Sequence, residues 1–234
     1  MTGDRSAFEA ARLAIAGPNR ARGSLCDSFL SIIPGTGASV SVLASAKGQS
    51  TICASDEVAT RLDELQFDLG EGPCWEAMTS RGPVIASRLR SADFPAWPMF
   101  AQAVRSDQTF DVASMFAFPL CVGSLDIGAV DVYSLTEENL NLTQIADAME
   151  LAGLAAWQVL RRILADDQGH DDIAGDMCRR EVHQATGMVL AQLEITADDA
   201  ALLLRAHAFA TSRTVRDVAN DIVARRIDFS ANGR

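Results

Sequence analysis

Motifs that mark catalysis or cofactor binding are missing from this chain of 234 residues. It contains no Gly-x-Ser-x-Gly elbow, no phosphate-binding Walker loop, no dinucleotide fingerprint and no His-Glu-x-x-His metal motif. Only three histidines are present, and the carboxylates are scattered rather than grouped. We therefore expect no catalytic residues, no metal site and no cofactor, and a protein that is not an enzyme.

Cysteine is sparse, and its spacing fits neither a zinc site nor a disulfide framework. The five cysteines form no Cys-x-x-Cys pair and no cluster with the histidines. Disulfides are rare in cytosolic proteins, so we predict five free thiols. They are Cys26, Cys53, Cys74, Cys121 and Cys178.

Long hydrophobic runs and a secretory signal are also absent. No apolar run approaches the roughly 20 residues of a membrane span, and the N-terminus has no cationic segment followed by an apolar core. We expect a cytoplasmic protein. With 48% hydrophobic and 22% charged residues, its composition is that of a globular chain, long enough for two modest domains.

Positive charge is scarce in the first part of the chain. The whole chain has 20 basic and 31 acidic side chains. Residues 173–234 contain eight arginines and eight acidic residues, so residues 1–172 contain 12 basic and 23 acidic side chains. The excess negative charge of the first part should repel nucleic acid. Any nucleic-acid contact is therefore expected in the C-terminal part, where it would be local and specific.

The C-terminal part has the clearest helical pattern. Apolar residues recur every three or four positions in three successive segments, as in a small bundle with one common core. The first segment spans residues 173–193. Thr196 and Thr214, each followed three residues later by an aspartate, start the second and third segments. We predict a three-helix bundle.

Three motifs of this bundle resemble the ANTAR domain, an RNA-binding output module of bacterial antitermination regulators. They are Gln184–Gly187 (QATG), Leu204–Ala208 (LRAHA) and Arg213–Ala219 (RTVRDVA). The family carries Ala-Lys-Gly where this chain has Ala-Thr-Gly, so Thr186 stands in place of a cation.

The resemblance implies binding of stem-loop RNA, and helical geometry adds neighbours on the open face of the first helix. A glycine inside a helix costs about 1 kcal/mol relative to alanine. Close approach of RNA, or tight packing of another helix, would explain the glycine at position 187. The expected RNA-binding residues are Arg179, His183, Gln184, Thr186, Gly187, Arg205, Arg213 and Arg216.

Residues 1–165 combine helical and strand patterns. Alternating or apolar runs at 38–44 and 49–54, and again at 114–122 and 127–133, are joined by short turns and predict two β-hairpins. Helical patterns precede, separate and follow them. This order favours an α+β fold with an antiparallel sheet flanked by helices.

The element order, with Leu69–Cys74 (LGEGPC), is similar to a GAF domain. That family uses a cupped sheet to bind small ligands or chromophores, or to dimerise. The resemblance implies a GAF-like sensor domain at 1–165 and an ANTAR-like domain at 173–234, an arrangement that recurs in bacteria. The acidic residues 166–172 are interpreted as a solvated linker rather than a metal site.

A long helix is predicted at 137–164, and it has more apolar faces than a helix on a sheet requires. One stripe has the 3-4 spacing of a coiled coil, which predicts a homodimer. The alternative is a helix wedged between the sheet and the N-terminal helices. The stripe consists of Leu142, Ile145, Met149, Ala152, Ala156, Val159 and Ile163.

Three residues of the sensor domain are candidates for a ligand pocket or a redox centre. Cys74 follows a proline at an expected helix start, where the helix dipole would favour a reactive thiolate, although an inert buried thiol is the simpler interpretation. Trp75 and Trp97 could line a pocket for an unidentified small ligand, or fill the core.

Taken together, the sequence predicts a transcription antitermination regulator with a sensory, dimerising domain and an RNA-binding output domain. The alternative is a small-ligand or redox sensor whose helical output module contacts protein or DNA.

Overall fold

The computed structural model describes residues 2–17, 23–43, 49–107, 111–167, 180–211 and 213–230. The chain divides into two compact units. The first comprises residues 1–45 and 50–177, and the second residues 46–49 and 178–234. The predicted linker at residues 166–172 lies almost entirely outside the described residues.

The first unit is built on a five-stranded antiparallel sheet with the order β2-β1-β5-β4-β3. Both predicted hairpins are present, β1 with β2 and β4 with β5. The strands are β1 (Gly37–Val42), β2 (Ser50–Ala54), β3 (Val84–Ala86), β4 (Ser114–Val122) and β5 (Leu125–Ser134).

Helices cover both faces of this sheet, which is why its central strands are apolar almost throughout. Val130 and Val132 of β5 pack into one core, whereas Ala129 and Tyr133 belong to clusters on the other face, as the two-residue period of a strand requires. The first core is covered by α1 (Thr2–Ala16), α2 (Gly23–Leu30) and α6 (Leu142–Asp167). The second face is covered by α3 (Glu57–Leu69), α4 (Pro73–Ser80) and α5 (Pro98–Ser106).

The LGEGPC segment forms the tight connection between α3 and α4. Gly70 ends α3 with φ 68°, and Gly72 has φ 141°; both values lie in the region that favours glycine. Pro73 follows as the first residue of α4, where the missing N–H of proline costs no helical hydrogen bond. The local motif therefore directs the chain sharply from one helix into the next.

Helix α6 starts five residues later than predicted, because Asn141 caps it. The Asn141 side chain accepts a hydrogen bond from the Gln144 N–H at 2.9 Å, and the Gln144 side chain accepts one from the Asn141 N–H at 3.0 Å. This reciprocal pair satisfies two backbone donors at the helix start. Since the cap lies at Asn141, the helical pattern read from residue 137 begins too early.

The prediction that the coiled-coil seam of α6 forms a dimer interface is wrong at three of its positions. Ala152, Ala156 and Val159 are fully buried in the core of their own chain, where α6 packs against the sheet and against α1. Met149 and Ile163 are partly buried against the same core. The wedged arrangement, stated above as the alternative, is the observed one.

The prediction of five free thiols is also wrong. Cys26 of α2 and Cys53 of β2 form a disulfide, with their Cα atoms 6.4 Å apart. Both side chains are buried in the first core. The pairing joins residues 27 positions apart, and it arises because α2 packs against the edge of the sheet, a contact that cysteine spacing alone does not reveal.

We predict that Cys26 and Cys53 resist alkylation in freshly purified protein that is denatured without reductant. Peptide mass spectrometry should find both cysteines labelled only after reduction, and Cys74 labelled in either case. A Cys26→Ala variant should lose about 2–4 kcal/mol of unfolding free energy, the usual cost of removing a native disulfide. Full labelling of Cys26 and Cys53 without reductant would contradict the bond.

The second unit is a three-helix bundle. Its helices are α7 (Arg180–Leu193), α8 (Ala197–Ala210) and α9 (Val215–Val223). The side chains of Thr196 and Thr214 accept hydrogen bonds from the N–H groups of Asp199 and Asp217, which confirms both predicted helix starts. The common core contains Ala185, Val189, Ala200, Leu204, Ala208, Val215, Val218, Ala219 and Ile222.

No helix in the described part of the chain is both long and apolar enough to span a bilayer.

Candidate nucleic-acid interface

The outward face of α7 is polar and includes a glycine, which leaves part of the helix backbone without a covering side chain. His183, Gln184 and Gly187 are exposed on it, and Thr186 is half-buried. The Thr186 hydroxyl donates a hydrogen bond to the carbonyl oxygen of Val182 at 2.8 Å. A Cβ built on Gly187 would have no heavy atom within 4 Å. Packing by another described helix is therefore not the reason for this glycine.

The two arginines on either side of Thr214 are engaged in intramolecular ion pairs. Arg216 donates to Glu181 at 2.7 Å, which ties α9 to α7. Arg213 donates to Asp221 at 2.7 Å, and Arg226 donates to the other oxygen of the same carboxylate. These hydrogen bonds lower the pKa of Asp221. Both predicted RNA-binding arginines thus have a structural role within the bundle.

Arg205 differs from these two arginines. It is half-buried on α8, and no carboxylate among the described residues pairs with it. Phe209 follows it at a spacing of four and is 72% exposed, so the two residues share one side of the helix. Phe209 was not among the residues predicted from the sequence. The feature that could have revealed it is a large aromatic residue outside the apolar stripe of α8.

Arg179, also predicted to bind RNA, lies outside the described residues.

The sensor unit contains a buried polar cluster that the sequence analysis missed. Asp63 of α3 accepts hydrogen bonds from the hydroxyls of Ser41 and Thr51, the first at 2.5 Å. Gln66, one turn further along α3, donates to Asp131 of β5 at 2.8 Å. The other Asp131 oxygen has no hydrogen-bond partner among the described residues. The sequence feature that could have revealed this cluster is Asp131, a charged residue inside the mostly apolar strand β5.

Burial raises the pKa of Asp131 to about 8, and the nearby charge of Asp63 adds to the shift. A carboxyl group in an apolar environment favours its neutral form, because the ion loses its hydration. Asp131 is therefore largely protonated at neutral pH, and its charge depends on pH within the physiological range.

The redox interpretation of Cys74 is not supported. The thiol is fully buried, and burial, followed by the charges of Asp131 and Asp63, raises its pKa well above the usual value. The helix start therefore does not produce a thiolate here, since desolvation outweighs the dipole. Cys74 is a buried thiol of the core.

The two tryptophans do lie together. Trp75 and Trp97 line a hollow of about 320 Å³ with Glu71 and Glu76. Trp97 is buried and donates its indole N–H to Glu76 at 2.5 Å, and Glu71 accepts the backbone N–H of Phe100. Among the described residues, no group of three or more His, Cys, Asp or Glu side chains is arranged to hold a metal ion.

Family models match both units. The model of the GAF domain matches residues 22–161, more than half of the chain. The chain belongs to the GAF family. The model of the ANTAR domain matches residues 178–223, so the protein is a GAF–ANTAR regulator, as the motifs predicted. Domains of both families are regulatory rather than catalytic.

A solved structure with a TM-score above 0.5 supports the GAF fold. The GAF domain of a phosphoenolpyruvate-protein phosphotransferase from Coxiella burnetii matches with a TM-score of 0.52 and 11% identity, over 71% of this chain and 98% of that one. A putative GAF sensor protein from Burkholderia vietnamiensis matches with a TM-score of 0.47 and 14% identity, over 68% and 97% of the two chains. No curated protein matches the sequence.

Proposed function

We propose that this regulator binds stem-loop RNA through its ANTAR domain and thereby favours transcription past a terminator, under the control of its GAF domain. The observation that carries the proposal is the exposed Gly187 in the middle of α7. It coincides with a family motif, and the described part of the chain offers no packing reason for it.

Gly187 destabilises its own helix. Glycine in a helix interior costs about 1 kcal/mol relative to alanine, because the backbone loses more freedom on folding. Since a Cβ would point into open space, the bundle itself would gain from a side chain here. A partner that approaches the α7 backbone closely supplies the missing reason, and the neighbouring His183 and Gln184 offer it hydrogen bonds.

We expect Gly187→Ala to stabilise the ANTAR domain while weakening its binding to RNA. The unfolding free energy should rise by about 0.5–1 kcal/mol, and the affinity should fall several-fold, because the methyl group holds the RNA away. Denaturant unfolding and filter binding measure the two effects, with stem-loop RNAs selected against the wild-type protein from a pool with a randomised loop. Ala191→Gly, at an exposed position one turn further on, is the matched control and should reduce stability only.

Unchanged RNA binding by Gly187→Ala would show that α7 is not approached closely. If wild-type protein selects no stem-loop, or binds duplex DNA of matched sequence equally well, the output domain has a protein or DNA partner instead.

The GAF domain is proposed to bind a small ligand and to hold two copies of the chain together. The hollow beside Trp75 is the candidate ligand site, because the half-buried indole of Trp75 and the carboxylates of Glu71 and Glu76 line it. The proposed homodimer would form through the exposed side of α6, where Trp157 is 52% exposed and Leu164 is 54% exposed. We place the protein in the cytoplasm, where nascent transcripts are found.

A further inference from the structure

The Cys26–Cys53 disulfide ties helix α2 to β2, the strand at one edge of the sheet. Both elements are short, since α2 has eight residues and β2 has five. Short elements at the edge of a fold open locally at a lower free-energy cost than central strands do. The bond therefore lies where local opening can expose it to a thiol, although both side chains are buried in the intact fold.

A β-bulge in β2 directs Cys53 towards α2. Two successive residues of β1 pair with Thr51 and Cys53, so Ile52 is an extra residue in the strand. Without the bulge, residues 51 and 53 would face the same side of the sheet. Instead, Cys53 lies in the core covered by α2, whereas Thr51 donates a hydrogen bond to Asp63 on the opposite face. Strand β2 is thus held on one face by the disulfide and on the other by α3.

The core around the two cysteines can hold them in the reduced state as well. A free cysteine behaves as a small apolar side chain and is often buried, so reduction removes a covalent tie without placing a charge in the core. The ladder with β1 and the Thr51 hydrogen bond to Asp63 remain to hold β2. The bonded and reduced forms then differ mainly in how easily α2 separates from β2.

We propose that the Cys26–Cys53 pair is a redox switch of the GAF domain, with two folded forms that interconvert by thiol–disulfide exchange. A dithiol reductant attacks one sulfur of the pair as a thiolate and forms a mixed disulfide, from which its second thiol releases the protein. The protein S–S bond breaks, an S–S bond forms in the reductant, and two electrons and two protons pass to the cysteines. Oxidation is the reverse exchange, with a disulfide as the electron acceptor.

No other described cysteine is placed to exchange with this pair. Cys74 is buried in a cluster on the other face of the sheet, and the Cys121 thiol donates to Asp126 beside the β4–β5 turn. The reactant is therefore an external dithiol or disulfide, and their ratio is the signal. The inference rests on the proposed cytoplasmic location, because disulfides in that reducing compartment are usually transient.

Thiol trapping in growing bacteria tests the switch. Cells that express the full chain are quenched in acid, free thiols are alkylated, and the remaining disulfides are reduced and labelled with a heavier form of the reagent. Mass spectrometry should find Cys26 and Cys53 mostly as free thiols in untreated cells and mostly bonded after exposure to diamide, a diazene that oxidises thiols. A pair that stays bonded in untreated cells, or stays free after diamide, would overturn the proposal.

Reduction of the purified full chain tests whether both forms are folded. Dithiothreitol should lower the midpoint of thermal unfolding of the GAF domain by about 10 °C, with an unchanged circular dichroism spectrum at room temperature. Hydrogen exchange should become about tenfold faster in α2 and β2 and stay unchanged in α4. Oxidised dithiothreitol should restore the original midpoint. Loss of the helical signal on reduction, or a midpoint that does not recover, would show that the bond is purely structural.

Two variants assign the response to this pair. Cys26→Ala removes it, and Cys121→Ala is the matched control, because Cys121 is a free thiol outside it. The midpoint of Cys26→Ala should not respond to dithiothreitol, whereas that of Cys121→Ala should fall as in the wild type. A response of Cys26→Ala equal to that of the wild type would overturn the proposal. None of these measurements uses RNA, so failure of the switch is distinguishable from failure of the proposed RNA binding.

Discussion

Arg205→Ala is expected to weaken binding of the selected stem-loop RNA by about tenfold, without a change in helicity. Hydrogen bonds to charged groups contribute about 1.5–3 kcal/mol, and Arg205 has no described carboxylate that competes for its guanidinium. Phe209 stands one turn away and is exposed, so an unpaired loop base could stack on its ring while Arg205 binds the backbone. Filter binding over a range of salt concentrations measures the loss.

Two variants make this result specific to the site. Arg226→Ala removes an exposed arginine that is already paired with Asp221, and it should change RNA affinity little. Thr186→Lys restores the cation of the family motif and should raise affinity and steepen its dependence on salt, because each phosphate contact releases counterions. If Arg205→Ala binds as wild type does and Thr186→Lys has no effect, these faces of α7 and α8 are not the RNA site.

Asp131→Asn is expected to stabilise the GAF domain progressively as the pH rises towards about 8. In the folded state the pKa of Asp131 is raised from 3.8 to about 8. The unfolded chain therefore releases this proton at a lower pH than the folded chain does. The contribution of the protonated Asp131 to stability is complete below about pH 4 and is lost as the pH rises through about 8.

The size of the effect follows from proton linkage. One proton bound only in the folded state changes the unfolding free energy by at most about 1.4 kcal/mol per pH unit. An asparagine keeps an oxygen for the Gln66 amide and carries no charge, so this slope should disappear. Urea unfolding of the full chain, followed by tryptophan fluorescence at several pH values, measures the difference.

The matched control for this prediction is Asp93→Asn, since Asp93 is exposed on the same unit. It should leave the pH dependence unchanged. An Asp131→Asn variant with the same pH dependence as wild type would show that Asp131 is ionised in the folded protein, and that its second oxygen has a partner such as water.

Most of the fold could be predicted from local sequence signals, because those signals act over a few residues. The threonine caps at Thr196 and Thr214 each satisfy a backbone N–H three residues away, and the structure confirms both predicted helix starts. The two hairpins follow from alternation and short turns. The GAF and ANTAR motifs then identified both domains, since their residues lie close together along the chain.

The candidate site was only partly predictable. The sequence motif selects Arg205, Arg213 and Arg216 alike, yet two of these three bind carboxylates of their own domain. Which arginine is available for a ligand depends on what packs beside it, and a motif does not contain that information. The exposed Phe209 was missed for the same reason.

The sequence by itself determined where most of the helices and strands lie and which families the chain joins, because caps, turns and periodicity are local properties. Tertiary structure alone decided which face of α6 packs on the sheet, since more than one of its faces is apolar and only packing distinguishes them. It also decided the Cys26–Cys53 bond and the burial of Asp131 beside Asp63. Each of these brings together residues from separate elements, and their energies depend on distances through space rather than along the chain.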